Sequence, residues 1–284
     1  MRTKTLLTVA AALAVSAITS MADTTYSQNV VGYINQTINQ GKYQLVGGQL
    51  INGSDVNQTN GDVNASLLMG LISSSHAPGT SSNSTMLVWG GSSFTPYTFY
   101  NSADATVWED DDPNVYPAGW YKPDGSPASV HLTNGASVFI RNNSAIAPMT
   151  VTTIGTVFQG QNVSVIKAGL NLIGLQVPIS TNVCVGADGS ALPYGLPLNM
   201  TSTPNPPGAG LNDQMLFWNG NSYTPFTYYN SADATVWEDD SPNVYPAGFY
   251  KPDGSPATYP AVNQGFFIKH IGASINWTNS FTVQ

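Results

Sequence analysis

Short apolar and aromatic runs punctuated by Gly, Asn, Ser and Pro recur along the chain, and their length and β-branched content predict strands. They are Val30–Ile34, Tyr43–Leu50, Met86–Trp89, Phe94–Tyr100 and Ser137–Ile140, and each has a counterpart further on. One segment, Val63–Ile72, has the spacing of a short helix; its counterpart Ser190–Leu198 contains Pro193 and Pro197 and reads as a loop. Ser73–Thr85 and Thr201–Gly210 are polar or Pro-rich and predict surface connections. The predicted fold class is all-β, with two tandem homologous domains that are sandwich- or barrel-like.

The tandem arrangement follows from an internal repeat. At an offset of 129, Met86-Leu87-Val88-Trp89 aligns with Met215-Leu216-Phe217-Trp218. Tyr100–Ala128 and Tyr229–Ala257 differ only at Asp112/Ser241 and Trp120/Phe249. Leu45-Val46-Gly47 with Gln49 matches Leu172-Ile173-Gly174 with Gln176, and Phe139-Ile140-Arg141 matches Phe267-Ile268-Lys269. The expected division is a signal peptide over 1–22, one repeat over 23–150 and a second over 151–284.

The start of the chain carries that signal: Arg2 and Lys4, an apolar stretch Leu6–Ile18, then Ser20-Met21-Ala22 as a small-x-small cleavage site. This predicts a secreted protein at an extracellular or cell-surface location, with the periplasm as the other oxidising compartment. Cys184 is the single cysteine, so no intrachain disulfide forms, and it reads as a buried small apolar residue. Charged residues make up 8% of the chain, against about 25% in ordinary domains. Removing Arg2 and Lys4 with the signal takes the formal charge from -8 to -10. Without a basic cluster the mature chain has little to offer phosphates or anionic lipid, and no later segment has the length of a membrane span.

The acids are concentrated, with eleven of the sixteen in the near-identical segments. Asp104, Glu109, Asp110, Asp111 and Asp112, repeated as Asp233, Glu238, Asp239 and Asp240, form the candidate metal set. Adjacent carboxylates repel, and calcium is the hard cation whose oxygen preference would relieve them; in extended chain Asp110 and Asp112 would share a face. The same segments carry Trp108, Trp120 and Tyr121, repeated as Trp237, Phe249 and Tyr250. These are candidate sugar-stacking rings or, alternatively, core residues. Lys122-Pro123-Asp124-Gly125 and Lys251-Pro252-Asp253-Gly254 read as turns. No nucleophile–base motif appears, and His76, His131 and His270 do not repeat. The remaining enzymatic alternative is a glycoside hydrolase using Glu109 with Asp104 and Glu238 with Asp233. Nine Asn-x-Ser/Thr sequons, Asn35, Asn52, Asn142 and Asn276 among them, are what so Asn-rich a chain produces by chance.

Gly169-Leu170-Asn171-Leu172-Ile173-Gly174, Phe217-Trp218-Asn219-Gly220, Gly265-Phe266-Phe267-Ile268-Lys269 and the closing Trp277–Val283 carry a family likeness. The chain resembles secreted β-rich tandem-domain proteins of planctomycete and verrucomicrobial-type bacteria. The resemblance covers both repeats, more clearly the second. It implies export, a β fold and a cell-surface or extracellular role, and carries no site residues with it. The functional expectation is a non-enzymatic structural protein that assembles with itself or other surface proteins, with calcium in its acidic loops. Edge strands starting at Tyr26 or ending at Gln284 would add to a neighbour's sheet. The alternative is an adhesin that binds polysaccharide through its Trp and acidic segment.

Overall fold

Strand propensity wins throughout the computed structural model. Residues 31–50, 68–80, 82–109, 112–128, 134–144, 146–181, 183, 195–197, 199–230, 232–238, 241–257 and 260–282 are described, and they contain strands and no helix. In the first repeat these are β1 (Val31–Ile38), β2 (Tyr43–Gly47), β3 (Leu68–Met69), β4 (Thr85–Trp89), β5 (Phe94–Tyr100), β6 (Thr106–Glu109), β7 (Asp112–Val115), β8 (Gly119–Tyr121), β9 (Ser137–Arg141) and β10 (Met149–Thr156). The second repeat has β11 (Gly160–Ile166), β12 (Gly169–Gly174), β13 (Gln214–Trp218), β14 (Tyr223–Tyr229), β15 (Thr235–Glu238), β16 (Ser241–Val244), β17 (Gly248–Tyr250), β18 (Gly265–His270) and β19 (Ile275–Phe281).

The two repeats share one topology. Five-stranded antiparallel sheets run β2-β9-β4-β5-β8 and β12-β18-β13-β14-β17, and each is accompanied by a hairpin, β6-β7 or β15-β16. A smaller sheet, β1-β10-β3 or β11-β19, covers one face of the larger. Strand alternation explains the packing: Ile34 and Ile38 of β1 point in while Tyr33, Asn35 and Thr37 point out. Ile38, Met149 and Val151 meet Val46, Met86, Val138, Ile140 and Trp120 in the first sandwich core. Ile166, Ile275 and Trp277 meet Ile173, Met215, Phe266, Ile268 and Phe249 in the second.

Two sequence expectations change here. Leu68 and Met69, expected in a helix, pair with β10 at Thr153 and Thr152, because that small sheet supplies an edge they can extend. The repeat boundary expected at 150 falls inside β10, which pairs with β1 from Ile38↔Met149 to Val31↔Thr156. Thr156 therefore belongs with the first repeat, and residues 157–159 form the link to β11.

The large sheets bury their second faces against each other. Leu45, Phe139, Tyr43, Leu87, Trp89 and Phe94 from the first meet Leu172, Phe267, Leu216 and Trp218 from the second, so the described sheets stack in four layers. Equivalent residues make reciprocal contacts across this seam. Trp89 Nε1 donates to Leu170 O at 3.0 Å, and Trp218 Nε1 donates to Tyr43 O at 2.9 Å. Trp89 sits edge-on to Phe267 at 5.6 Å, and Trp218 to Phe139 at 5.5 Å. Gly47 N donates to Asn263 O and Gly174 N to Gly135 O, both at 2.7 Å. Such reciprocity is the mark of an isologous, two-fold-like interface.

Near the pseudo-axis, equivalent residues touch: a Cβ on Gly174 would lie 3.2 Å from Gly47 Cα, and one on Gly265 would lie 2.7 Å from Ser137 Cβ. Gly265→Ser is expected to overpack the seam at a cost of about 1–3 kcal/mol. Adding Ser137→Gly is expected to restore most of the loss, because the axis exchanges the two positions. Thermal melts of the single and double variants check this, and a double variant no more stable than Gly265→Ser would contradict the two-fold.

Candidate functional site

The near-identical segment builds the far edge of each large sheet and the hairpin beside it, away from the seam. Asn101 starts it, its Oδ1 accepting from Asp104 N at 2.8 Å; Asn230 does the same for Asp233 N at 2.8 Å. Asp104 and Asp233 are thereby held half-buried at the turn into the hairpin. The hairpin register places Glu109 opposite Asp112 and Trp108 opposite Pro113; in the copy, Glu238 lies opposite Ser241 and Trp237 opposite Pro242. Glu109 thus ends β6 and Asp112 starts β7. The expectation that Asp110 and Asp112 share one extended face falls on a residue outside the described ones. Asp110, Asp111, Asp239 and Asp240 lie outside the described residues. Among the described residues, no three His, Cys, Asp or Glu side chains come together as a metal site.

The rings expected to face a sugar are distributed differently. Trp120 is 2% exposed, Tyr121 7%, Phe249 1% and Tyr250 9%. Trp120 packs against Phe99 at 5.3 Å and Phe249 against Tyr228 at 5.2 Å, both in sandwich cores. Tyr121 closes a trio with Tyr100 and Tyr116, in which Tyr100 and Tyr116 stack at 5.0 Å. Tyr250 repeats it with Tyr229 and Tyr245, stacked at 4.9 Å. The hydroxyls are also engaged: Tyr121 donates to Pro117 O and Tyr250 to Pro246 O, each at 2.7 Å. Tyr100 donates to His76 O and Tyr229 to Asn205 O. Burial, then the neighbouring Tyr116, pushes the Tyr121 hydroxyl above its ordinary pKa, so it stays protonated. Rings buried on both faces cannot stack on a sugar. Tyr121 and Tyr250 join hairpin to sheet, and Trp120 and Phe249 belong to the sandwich cores; the side chains of Trp108 and Trp237 lie outside what the structure describes.

Both Lys-Pro-Asp-Gly stretches are turns, with Gly125 at φ 80° and Gly254 at φ 78°. Asp124 accepts from Ser126 Oγ at 2.6 Å and Ser126 N at 2.9 Å, and these bonds hold its carboxyl below the usual aspartate range. Asp253 and Ser255 repeat the arrangement.

A buried ion pair, Asp213 with His270, escaped the sequence reading. His270 Nδ1 lies 2.6 Å from Asp213 Oδ2, and its Nε2 lies 2.6 Å from Ala273 O. The same carboxylate accepts from Thr201 N and Ile271 N at 2.8 Å. Both ring nitrogens thus face oxygen atoms. With side chains 1% and 0% exposed and Nε2 occupied, the pair has no path to a substrate and serves the fold. The repeat alignment holds the missed signal: Asp213 stands where the first repeat has Ser84, and His270 where it has Asn142.

The long strands of the outer sheets carry no charge. β1, β10, β11 and β19 contain no Asp, Glu, Lys, Arg or Pro. Tyr33 is 70% exposed on β1, and Val163 and Val165 are 49% and 52% exposed on β11. Among the described residues β1 pairs only with β10, and β11 only with β19, so each offers one free strand edge. Cys184 lies outside the described residues, and no helix among those described is long and apolar enough to cross a membrane. No family model matches the chain, and neither a curated protein nor a solved structure is significantly similar to it.

Proposed function

We propose that this protein is a secreted, non-enzymatic structural subunit that assembles with copies of itself at a surface or in an extracellular matrix. The observation supporting this is the pair of uncharged, proline-free outer sheets with open edges at β1 and β11. Edge strands are ordinarily blunted by Lys, Pro or bulges, since bare main-chain donors and acceptors recruit another strand. Here neither edge strand carries a charge or a proline. A second copy suits these edges: strand addition satisfies the main chain, and Thr-, Asn- and Val-rich faces shed water at small cost. The two edges occupy opposite outer layers of the stack, so each molecule has two attachment points, an arrangement that extends rather than closes.

The test is light scattering coupled to size exclusion on residues 23–284, from micromolar concentrations upward. Mass is expected to rise with concentration, and Val163→Lys with Val165→Lys to return the protein toward monomer while leaving its melting temperature within a few degrees. A wild-type chain that stays monomeric throughout, or a doubly substituted chain that assembles as the wild type does, would overturn the reading.

A further inference from the structure

We propose that Asn263, paired with Gly135, makes the seam selective: the second repeat accepts the first repeat as its partner and rejects another second repeat. Gly135 and Asn263 are equivalent in the repeat alignment, and both have left-handed backbone, at φ 82° and 62°. Asn263 is the one non-glycine residue with positive φ among those described. Each extends a carbonyl to the opposite repeat, through the reciprocal bonds to Gly174 N and Gly47 N. Their surroundings differ.

Asn263 is fully buried against the first repeat. Its main-chain N donates to Gln49 Oε1 at 2.7 Å, and its Nδ2 reaches Gln36 Oε1 at 3.3 Å and Thr153 Oγ1 at 3.4 Å. At the equivalent place on the second repeat, Ser164, Gln176 and Asn279 stand where the first has Gln36, Gln49 and Thr153. Gln176 is pinned there, donating to Ser164 Oγ at 2.7 Å and accepting from Asn279 Nδ2 at 2.8 Å. A Cβ on Gly135 would lie 2.8 Å from Gln176 Cγ. A second repeat facing another would have to insert the Asn263 side chain into that space. Two first repeats facing each other would instead lose the carboxamide that bridges Gln36 and Thr153.

Gly135→Asn in the full chain builds the rejected contact into one molecule, and Asn263 itself shows that asparagine tolerates this backbone. The variant is expected to melt several degrees below wild type, with the fluorescence of Trp89 and Trp218 shifting to the red below the main transition as the seam opens. Gln176→Ala makes room, so the double variant Gly135→Asn with Gln176→Ala is expected to be more stable than the sum of the single losses predicts. The proposal would be overturned by a Gly135→Asn chain that melts as wild type, or by strictly additive losses, which would assign the cost to the backbone rather than to the Gln176 contact. Either result is independent of strand addition at β1 and β11, which uses the edges of the outer sheets and not the seam.

Discussion

His270→Asn and Asp213→Asn should each lower stability by about 3–5 kcal/mol, because each leaves one member of a buried ion pair without its partner. For a chain of this size that is a fall in melting temperature on the order of 10 °C. Asp213 has the more connected position, since its carboxylate also accepts from Thr201 N and Ile271 N. The informative variant is the double one, Asp213→Ser with His270→Asn, which copies the first repeat. There Ser84 Oγ accepts from Ile72 N at 2.9 Å, and Asn142 Nδ2 donates to Ile38 O and Ala147 O at 3.0 and 2.9 Å. Neutral groups thus perform the same bridging without any charge to desolvate. The double variant should lose less than the two single losses combined, and thermal or urea unfolding measures the difference. Additive losses would show that the pair acts as two separate hydrogen-bonding residues.

Trp89→Ala and Trp218→Ala should each cost about 3 kcal/mol, the low end for a tryptophan because both rings are half-buried. Each truncation removes an edge-on aromatic contact and the indole bond to a carbonyl of the opposite repeat. The reciprocity makes a sharper demand than the magnitude: the two losses should agree within about 1 kcal/mol, given context effects of that size. Equilibrium unfolding of both variants checks it. A loss confined to one of them would mean that the seam leans on one side and that its two-fold character is only apparent.

The sequence was most informative where one physical signal dominated. The repeat, the strand runs and the turn glycines at 125 and 254 are all legible, because periodicity and turn chemistry act locally. The four-layer stack was legible in principle. Met86-Leu87-Val88-Trp89 and Leu45-Val46 do not alternate polar with apolar, and an unbroken apolar run is what a strand covered on both faces requires. Met86 faces a sandwich core, whereas Leu87 and Trp89 face the seam. Trp120 and Tyr121 show the same effect: neighbours on β8, they enter two different clusters, and both are buried. Of the two readings they allowed, core residue or ring platform, burial favours the core, a choice that aromatic identity alone does not make. The β6–β7 pairing was not legible, because Glu109 to Asp112 contains no Gly or Pro to announce a hairpin; the pairing of Trp108 with Pro113 reveals it. Asp213 and His270 were hidden by their distance in sequence, which no local pattern spans.

The link at 157–159 gives the seam a property that contacts alone would not. Two separate single-repeat chains meeting through such an isologous face would part once diluted below their dissociation constant. Here the second face is tethered by three residues, which holds it at an effective concentration of about millimolar or above however dilute the protein becomes. Joining the halves removes dilution as a route to their dissociation.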